Sequence, residues 1–274
     1  MGPLLPFLLL GLGFGLSSVE TARFERAAAA DIASRLSGDA VQVSVNIVPN
    51  GIAAAWGEVS SATIAASNFS LDQLPLFTEP DRSQYGKLHR LRIQLSDFRL
   101  RGLLVSELTV DIPDCRFDLG LARSERKLRL TRSGEGLGTV KITEDSLAEY
   151  IVGKYAEIKS VTVRVYNDVI WVEGYGEFLF VKTDFAIIAH IVAVDGTKLT
   201  LTDAKIYFDW QRADPAAVQI LLDVLNPVID LDADLGLFGA ITVERVRLRD
   251  GVLEASGPAR IPIKPDAAHT DNSS

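Results

Sequence analysis

Residues 161–210 constrain the fold more than any other part of the chain, because six short strand patterns follow one another there with almost nothing between them. They cover residues 161–166, 169–175, 178–181, 185–195, 198–201 and 204–210, with turn chemistry at Asn167-Asp168 and Asp195-Gly196. A parallel crossover needs a dozen or more residues, so neighbours joined this closely must pair antiparallel. Upstream lie further patterns at 41–48, 51–60, 62–71, 88–98 and 103–117. Leu91, Ile93 and Leu95 alternate with Arg90, Arg92 and Gln94, as a half-buried strand requires. Pro113 removes a ladder donor and puts the middle of its strand at an edge or a bulge. Residues 72–85, with Pro75 and Pro80, read as a long loop, and a last hairpin spans 241–249 and 252–255 around Asp250-Gly251.

Three helices interrupt the strands. Residues 20–36 are Ala-rich, present Phe24, Ala28, Ile32 and Leu36 on one face, and end at Gly38. Thr143 is an N-cap whose hydroxyl accepts from an amide of the first turn, and Glu144 and Asp145 complement the helix dipole there. No Glu or Gln stands three residues after Thr143, so the reciprocal capping box is missing. This helix carries Leu147, Tyr150, Ile151 and Tyr155 on one face. Asp214 caps the third helix, Pro215 opens it, Val218, Leu221, Leu222 and Leu225 form its apolar face, and Pro227 stops it. The order predicts an α+β fold, a long curved antiparallel sheet wrapped around a few amphipathic helices. Residues 185–192 are apolar on both faces, with Phe185, Ile187 and Ile191 on one and Ala186, Ile188 and Val192 on the other. Such a strand wants two covering layers or a cavity on one side.

Residues 3–16 form an uncharged apolar run, read as an export segment that is either cleaved or retained as an anchor. The expected organisation is residues 1–19 as that segment or anchor, 20–264 as a single domain, and 265–274 as a disordered tail. Gly11, Gly13 and Gly15 follow no strand, so they make no dinucleotide loop. Cys115 is the only cysteine, which excludes an intrachain disulfide and a thiolate cluster; its apolar strand context reads as buried. His89, His190 and His269 fit no metal spacing, and no nucleophile elbow is present. Asp230, Asp232 and Asp234 resemble the start of a calcium loop, but Leu235 replaces its Gly and Ile241 its bidentate Glu, leaving a solvated acidic loop. No catalytic residue, cofactor or metal site is expected, and the chain is not read as an enzyme. A net charge of −8 excludes a general nucleic-acid binder. Residues 82–132 nevertheless carry twelve Lys and Arg against six acids, a local +6 that leaves −14 for the rest. That asymmetry suits a membrane surface or a lipid headgroup, and equally an ordinary solvated strand face.

The helix start Thr143-Glu144-Asp145-Ser146-Leu147-Ala148 resembles that of the lipomannan elongation factor A family of bacterial envelope phospholipid-binding proteins, with Ala148 where asparagine is commoner. The segments at 103–117, at Asn226-Pro227 and at 243–253 are similar to that family as well, so the resemblance spans about residues 24–263. It implies a tubular lipid-binding-like fold with a groove for acyl chains, in a protein exported to the periplasm or cell envelope. On that reading the groove is walled by Leu147, Tyr150, Ile151, Tyr155, Phe185, Ile187, Val218, Leu221, Leu222 and Leu225. Arg90, Arg92, Arg99 and Arg101 would meet a headgroup or the membrane. The expected function is noncatalytic binding or transfer of a phospholipid or other acyl lipid. The alternative is a structural or adaptor protein of the envelope, with a packed core and a protein partner.

Overall fold

The computed structural model describes residues 18–71, 79–178 and 181–261. The export segment up to residue 17, residues 72–78 of the long loop, and the tail with His269 lie outside the described residues. Helix α1 (Ser18–Ala33) is followed by β1 (Gln42–Pro49), a 3₁₀ turn (Gly51–Trp56), β2 (Glu58–Leu71), β3 (Gly86–Leu100) and β4 (Leu103–Phe117). Then come α2 (Leu119–Glu125), β5 (Leu130–Arg132), β6 (Gly136–Thr143) and α3 (Glu144–Lys154). The meander is β7 (Ile158–Tyr166), β8 (Val169–Phe178), β9 (Val181–Val194), β10 (Lys198–Phe208) and β11 (Gln211–Arg212). Helix α4 (Pro215–Leu225), β12 (Ile229–Asp230), β13 (Arg245–Arg249) and β14 (Val252–Ala259) close the described chain.

The strands form two sheets. One runs β1-β2-β3-β4-β6-β14-β13, with β5 also on β4; the other runs β11-β10-β9-β8-β7, with β12 on β10. Every pair is antiparallel except β2 with β3, which run parallel, as the fourteen residues between Leu71 and Gly86 allow. Residues 198–201 and 204–210, read as two strands, are one strand with a bulge between Thr202 and Lys205. Residues 51–60, read as a strand, are the 3₁₀ turn and the start of β2. Pro113 lies where β4 has lost β6 and not yet met β5, so its missing donor costs nothing on that side. A Cβ on Gly136 would lie 1.8 Å from the Asp111 carbonyl oxygen, so only glycine lets β6 approach β4 there.

The three central strands curl together. Their inward residues form rows across β2, β3 and β4: Val59-Leu88-Cys115, Ala62-Leu91-Ile112, Ile64-Ile93-Val110, Ala66-Leu95-Leu108, Phe69-Phe98-Val105 and Leu71-Leu100-Leu103. Inward parity changes twice on every strand. The first change falls at Ser60-Ser61, His89-Arg90 and Pro113-Asp114, the second at Ser67-Asn68, Ser96-Asp97 and Ser106-Glu107. Asn68, Asp97 and Asp114 adopt positive φ, as residues in a bulged, sharply twisted backbone do. The sheet is thereby divided into two end panels and a middle panel.

Each end panel has its own core. One core joins Phe69, Phe98, Leu100 and Leu103 to α3 and the inner face of the β7–β11 sheet. The other joins Leu88, Cys115 and Phe117 to α1 and α2. In β9 the face of Phe185, Ile187, Ala189 and Ile191 is buried in the larger core, whereas His190, Val192 and Val194 on the opposite face are exposed. On that second face Ala186 is buried and Ile188 half-buried, so the strand is covered on both sides at its start and turns its second face outward only from His190 on.

Candidate functional site

Between the two cores, over the middle panel, lies a cavity of about 180 Å³. Its wall is Ile64, Ile93, Leu95, Leu108 and Val110 of the panel, continued by Val140 and Ile142 of β6. Ile32 and Leu36 close one side, and Leu231, Leu235, Leu237 and Ile241 close the other. Of all the lining residues only Arg260 is not apolar. Arg260 is exposed, with its Nε donating to the Gly239 carbonyl at 3.3 Å. Leu36, Ile64, Ile93, Leu95 and Val110 are half-buried, so the cavity is not sealed on that side.

The wall formed by residues 229–243 owes its conformation to the three aspartates. Asp230 accepts from the amides of Asp232 and Ala233 at 3.0 and 2.8 Å, and Asp232 accepts from the Gly239 amide at 3.1 Å. Asp234 accepts from the Asp230 amide at 2.9 Å, from Lys154 Nζ at 2.6 Å and from the Tyr150 hydroxyl at 3.1 Å. The acidic loop is thus not simply solvated: its carboxylates fold the loop, and its leucines face the cavity. Partial burial pushes the Asp234 carboxyl up, but the Asp230 amide, Lys154 and Tyr150 together hold it below the ordinary carboxylate range. Burial and the neighbouring Asp234 push the Tyr150 hydroxyl up, and push Tyr155 up to about 12.

Helix α3 starts as its sequence requires: Thr143 Oγ1 accepts from the Ser146 amide at 3.3 Å. Glu144 goes beyond the dipole role, accepting from the Val165 amide at 2.7 Å and from Arg164 at 3.2 Å, which ties the helix to β7. At its other end Lys154 donates to the carbonyls of Pro227 and Val228, and the Tyr155 hydroxyl donates to that of Leu225. In α4, Asp214 caps Ala216 and Ala217 at 2.9 and 3.0 Å. Asn226 pairs through its side chain with both backbone groups of Leu201, which docks the helix end on β10.

The ten residues expected to wall a groove do come together. Leu147, Tyr150, Phe185 and Ile187 are buried in the larger core, and Ile151, Tyr155, Val218, Leu221, Leu222 and Leu225 pack half-buried against it. None of them lines the cavity. Nor do the four arginines: Arg92 forms a bidentate pair with Asp111, Arg99 pairs with Glu149 at 3.0 Å, Arg101 donates to the Ala233 carbonyl, and Arg90 is exposed. The cavity residues were within reach of the sequence through one signal. At each polar doublet, such as Ser67-Asn68 or Ser96-Asp97, the apolar alternation slips by one residue, and the stretch between two slips is the middle panel.

The cysteine and the described histidines have structural partners. Cys115 is fully buried, burial pushes its thiol up to about 11, and its sulfur lies 3.8 Å from the Pro113 carbonyl oxygen. His89 contacts Glu58 and Asn50, and His190 contacts the Asp168 carbonyl. Among the described residues no cluster of His, Cys, Asp and Glu could hold a metal ion, and no helix is long and apolar enough to cross a membrane.

A curled sheet with an apolar cavity is what the resemblance at Thr143 implies, and the comparison with family models agrees: the LmeA-like phospholipid-binding family matches residues 16–257. The chain belongs to that family. The LmeA-like match covers all of α3 and, apart from residues 259–261, both cores and the cavity lining, so it does not rest on the helix start alone. Neither the curated proteins nor the solved structures contain a match to the chain.

Proposed function

We propose that the protein binds a phospholipid without catalysing a reaction on it, seating an acyl chain in the cavity between the two cores. The observation that carries this reading is a void of about 180 Å³ whose lining is apolar except for Arg260. Close-packed interiors hold few voids larger than a water molecule, so a space of this size favours a ligand site over the packed interior of an adaptor. It is smaller than the roughly 300–1,000 Å³ of pockets that enclose a drug-sized ligand, so one chain enters and a second stays outside. Each buried methylene contributes about 0.8 kcal/mol. The phosphate then stays at the rim, where Arg260 is the one cation among the lining residues. A protein of this kind in the cell envelope would carry phospholipid through the aqueous space beside a membrane.

Replacing Ile93, in the centre of the panel, with Trp tests the reading. Native mass spectrometry after incubation with phosphatidylglycerol vesicles is expected to show lipid on the wild-type chain and at least about tenfold less on Ile93→Trp, with the melting temperature unchanged or higher. Equal loading of the two would remove the cavity from consideration.

A further inference from the structure

The molecule has one pole where exposed apolar side chains, spare cations and the start of α1 coincide. On the 3₁₀ turn, Ile52 and Trp56 are 77% and 70% exposed, and Tyr85, just before β3, is 84% exposed. These side chains share one end of the fold. The Lys87 amide donates to the Gly57 carbonyl, a Cβ on Gly57 would strike Leu119 of α2, and Arg123 of α2 donates to the Ala55 carbonyl at 2.8 Å. Val48, at the end of β1, adds a further exposed aliphatic side chain.

Cations surround this patch. Lys87 and Arg116 face each other across β3 and β4, and Arg123 and Arg126 lie on and just after α2. None of the four has a carboxylate within ion-pair distance among the described residues. The acids of this pole are mostly committed elsewhere. Glu58 contacts His89, Asp118 caps α2 at Leu121, Glu125 pairs with Lys127, and Glu79 engages Arg82 and Arg129. Asp81, Asp114 and Glu58, which stands opposite Lys87 across β2 and β3, remain against the four cations, so the spare charge is positive by a single unit.

The direction of α1 is an independent observation. Glu25 accepts from the Ile47 amide at 2.8 Å, and beyond the other end of the helix Ser37 bridges to Ser70. The helix therefore runs from the 3₁₀-turn end of β1 toward the far end of β2. Seven residues of helix before Glu25, about 10 Å, bring Ser18 and exposed Val19 toward the pole of Ile52 and Trp56. The apolar run at residues 3–16 precedes Ser18 in the sequence.

We infer that this pole docks on an anionic lipid bilayer, with Ile52, Trp56 and Tyr85 entering the headgroup region and Lys87, Arg116, Arg123 and Arg126 meeting lipid phosphates. Aromatic side chains favour that interfacial depth, and basic residues beside it are drawn to anionic lipid. The inference rests on the phospholipid-binding reading only in the choice of partner; its surface is separate from the cavity.

Three tryptophans provide internal controls, because Trp56 lies at the pole, Trp171 on the outer face of β8 and Trp210 at the β10–β11 turn. Full-length single-tryptophan chains, with Phe at the other two positions, are mixed with vesicles of brominated phosphatidylcholine and phosphatidylglycerol. Quenching of Trp56 alone is expected, and Arg123→Gln with Arg126→Gln should raise the vesicle concentration for half-quenching by roughly tenfold or more. Unquenched Trp56, or stronger quenching of Trp171 or Trp210, overturns the proposal, as does quenching insensitive to both arginine changes. Ile93→Trp, carried through the loading assay separately, reports on the cavity, so a failure there leaves the docking result standing and the reverse holds too.

Discussion

Arg129 shows what a single residue does for the cavity. It stands between Leu128 and Leu130, both in the lining, with its side chain only 4% exposed. Its guanidinium binds Asp31 of α1 in bidentate fashion at 2.8 and 3.0 Å and lies 3.3 Å from Glu79. Asp31 precedes Ile32, so this contact holds the α1 wall against the rest of the lining. The hydrogen bonds from Arg129 lower the Asp31 carboxyl below its ordinary value of 3.8. A carboxyl lowered in the folded state stabilises fully above its unfolded value, and the contribution is lost as pH falls through the lowered folded one. Arg129→Ala removes both guanidinium hydrogen bonds from half-buried Asp31 and leaves it only Arg35, 3.8 Å away, a loss of charge-assisted bonding of about 1.5–3 kcal/mol. The denaturant midpoint at neutral pH should drop accordingly, and the gap to the wild-type chain should narrow below pH 3.8 as Asp31 takes up a proton. A gap that stays constant through that range would show that the pair is not the source.

At the scale of elements, α3 is a buttress and not a wall. Through Tyr150 and Lys154 it grips Asp234, and through Tyr155 the end of α4, so it fixes a loop whose leucines form the wall. Asp234→Asn keeps the size and weakens charge-assisted bonds worth about 1.5–3 kcal/mol. Amide exchange should then accelerate at Leu231, Leu235 and Leu237 with β7 to β10 unchanged; uniform acceleration would mean that the loop opens only with the whole fold. The helix itself was legible in the sequence because caps are local: Thr143, Asp214 and Pro215 act within one turn of themselves. Strands β1 and β4 were legible too, since long alternation marks them. By contrast β6 was missed, because Gly136, Gly138 and polar Thr139 and Lys141 weaken its pattern, and its neighbours β4 and β14 hold it in place. The residues expected to wall a groove and those that line the cavity differ for a related reason. Apolar faces at 147–155 and 218–225 announce burial, but whether a buried face meets a side chain or a void depends on non-local register among β2, β3 and β4.

At the scale of the whole molecule, the three central strands belong to two cores at once, and Leu36, Val43 and Val110 are the partly buried apolar side chains that touch both. In the middle panel Ala62, Leu91 and Ile112 pack into the second core, but the rows Ile64-Ile93-Val110 and Ala66-Leu95-Leu108 face the void, so side-chain packing across them is thin. Backbone pairing is continuous there, yet cooperativity in proteins comes largely from packed interiors. Heat should therefore separate the two halves. In scanning calorimetry of lipid-free protein the calorimetric enthalpy is expected to exceed the van't Hoff enthalpy, the mark of more than one unfolding unit. An acyl chain laid across the panel would bridge the two cores, and in the loaded protein the two enthalpies should converge; a ratio of one without lipid would show that the strands alone suffice. The void over the middle panel thus makes the melting transition itself a gauge of occupancy: empty protein melts as two partners, and filled protein as one.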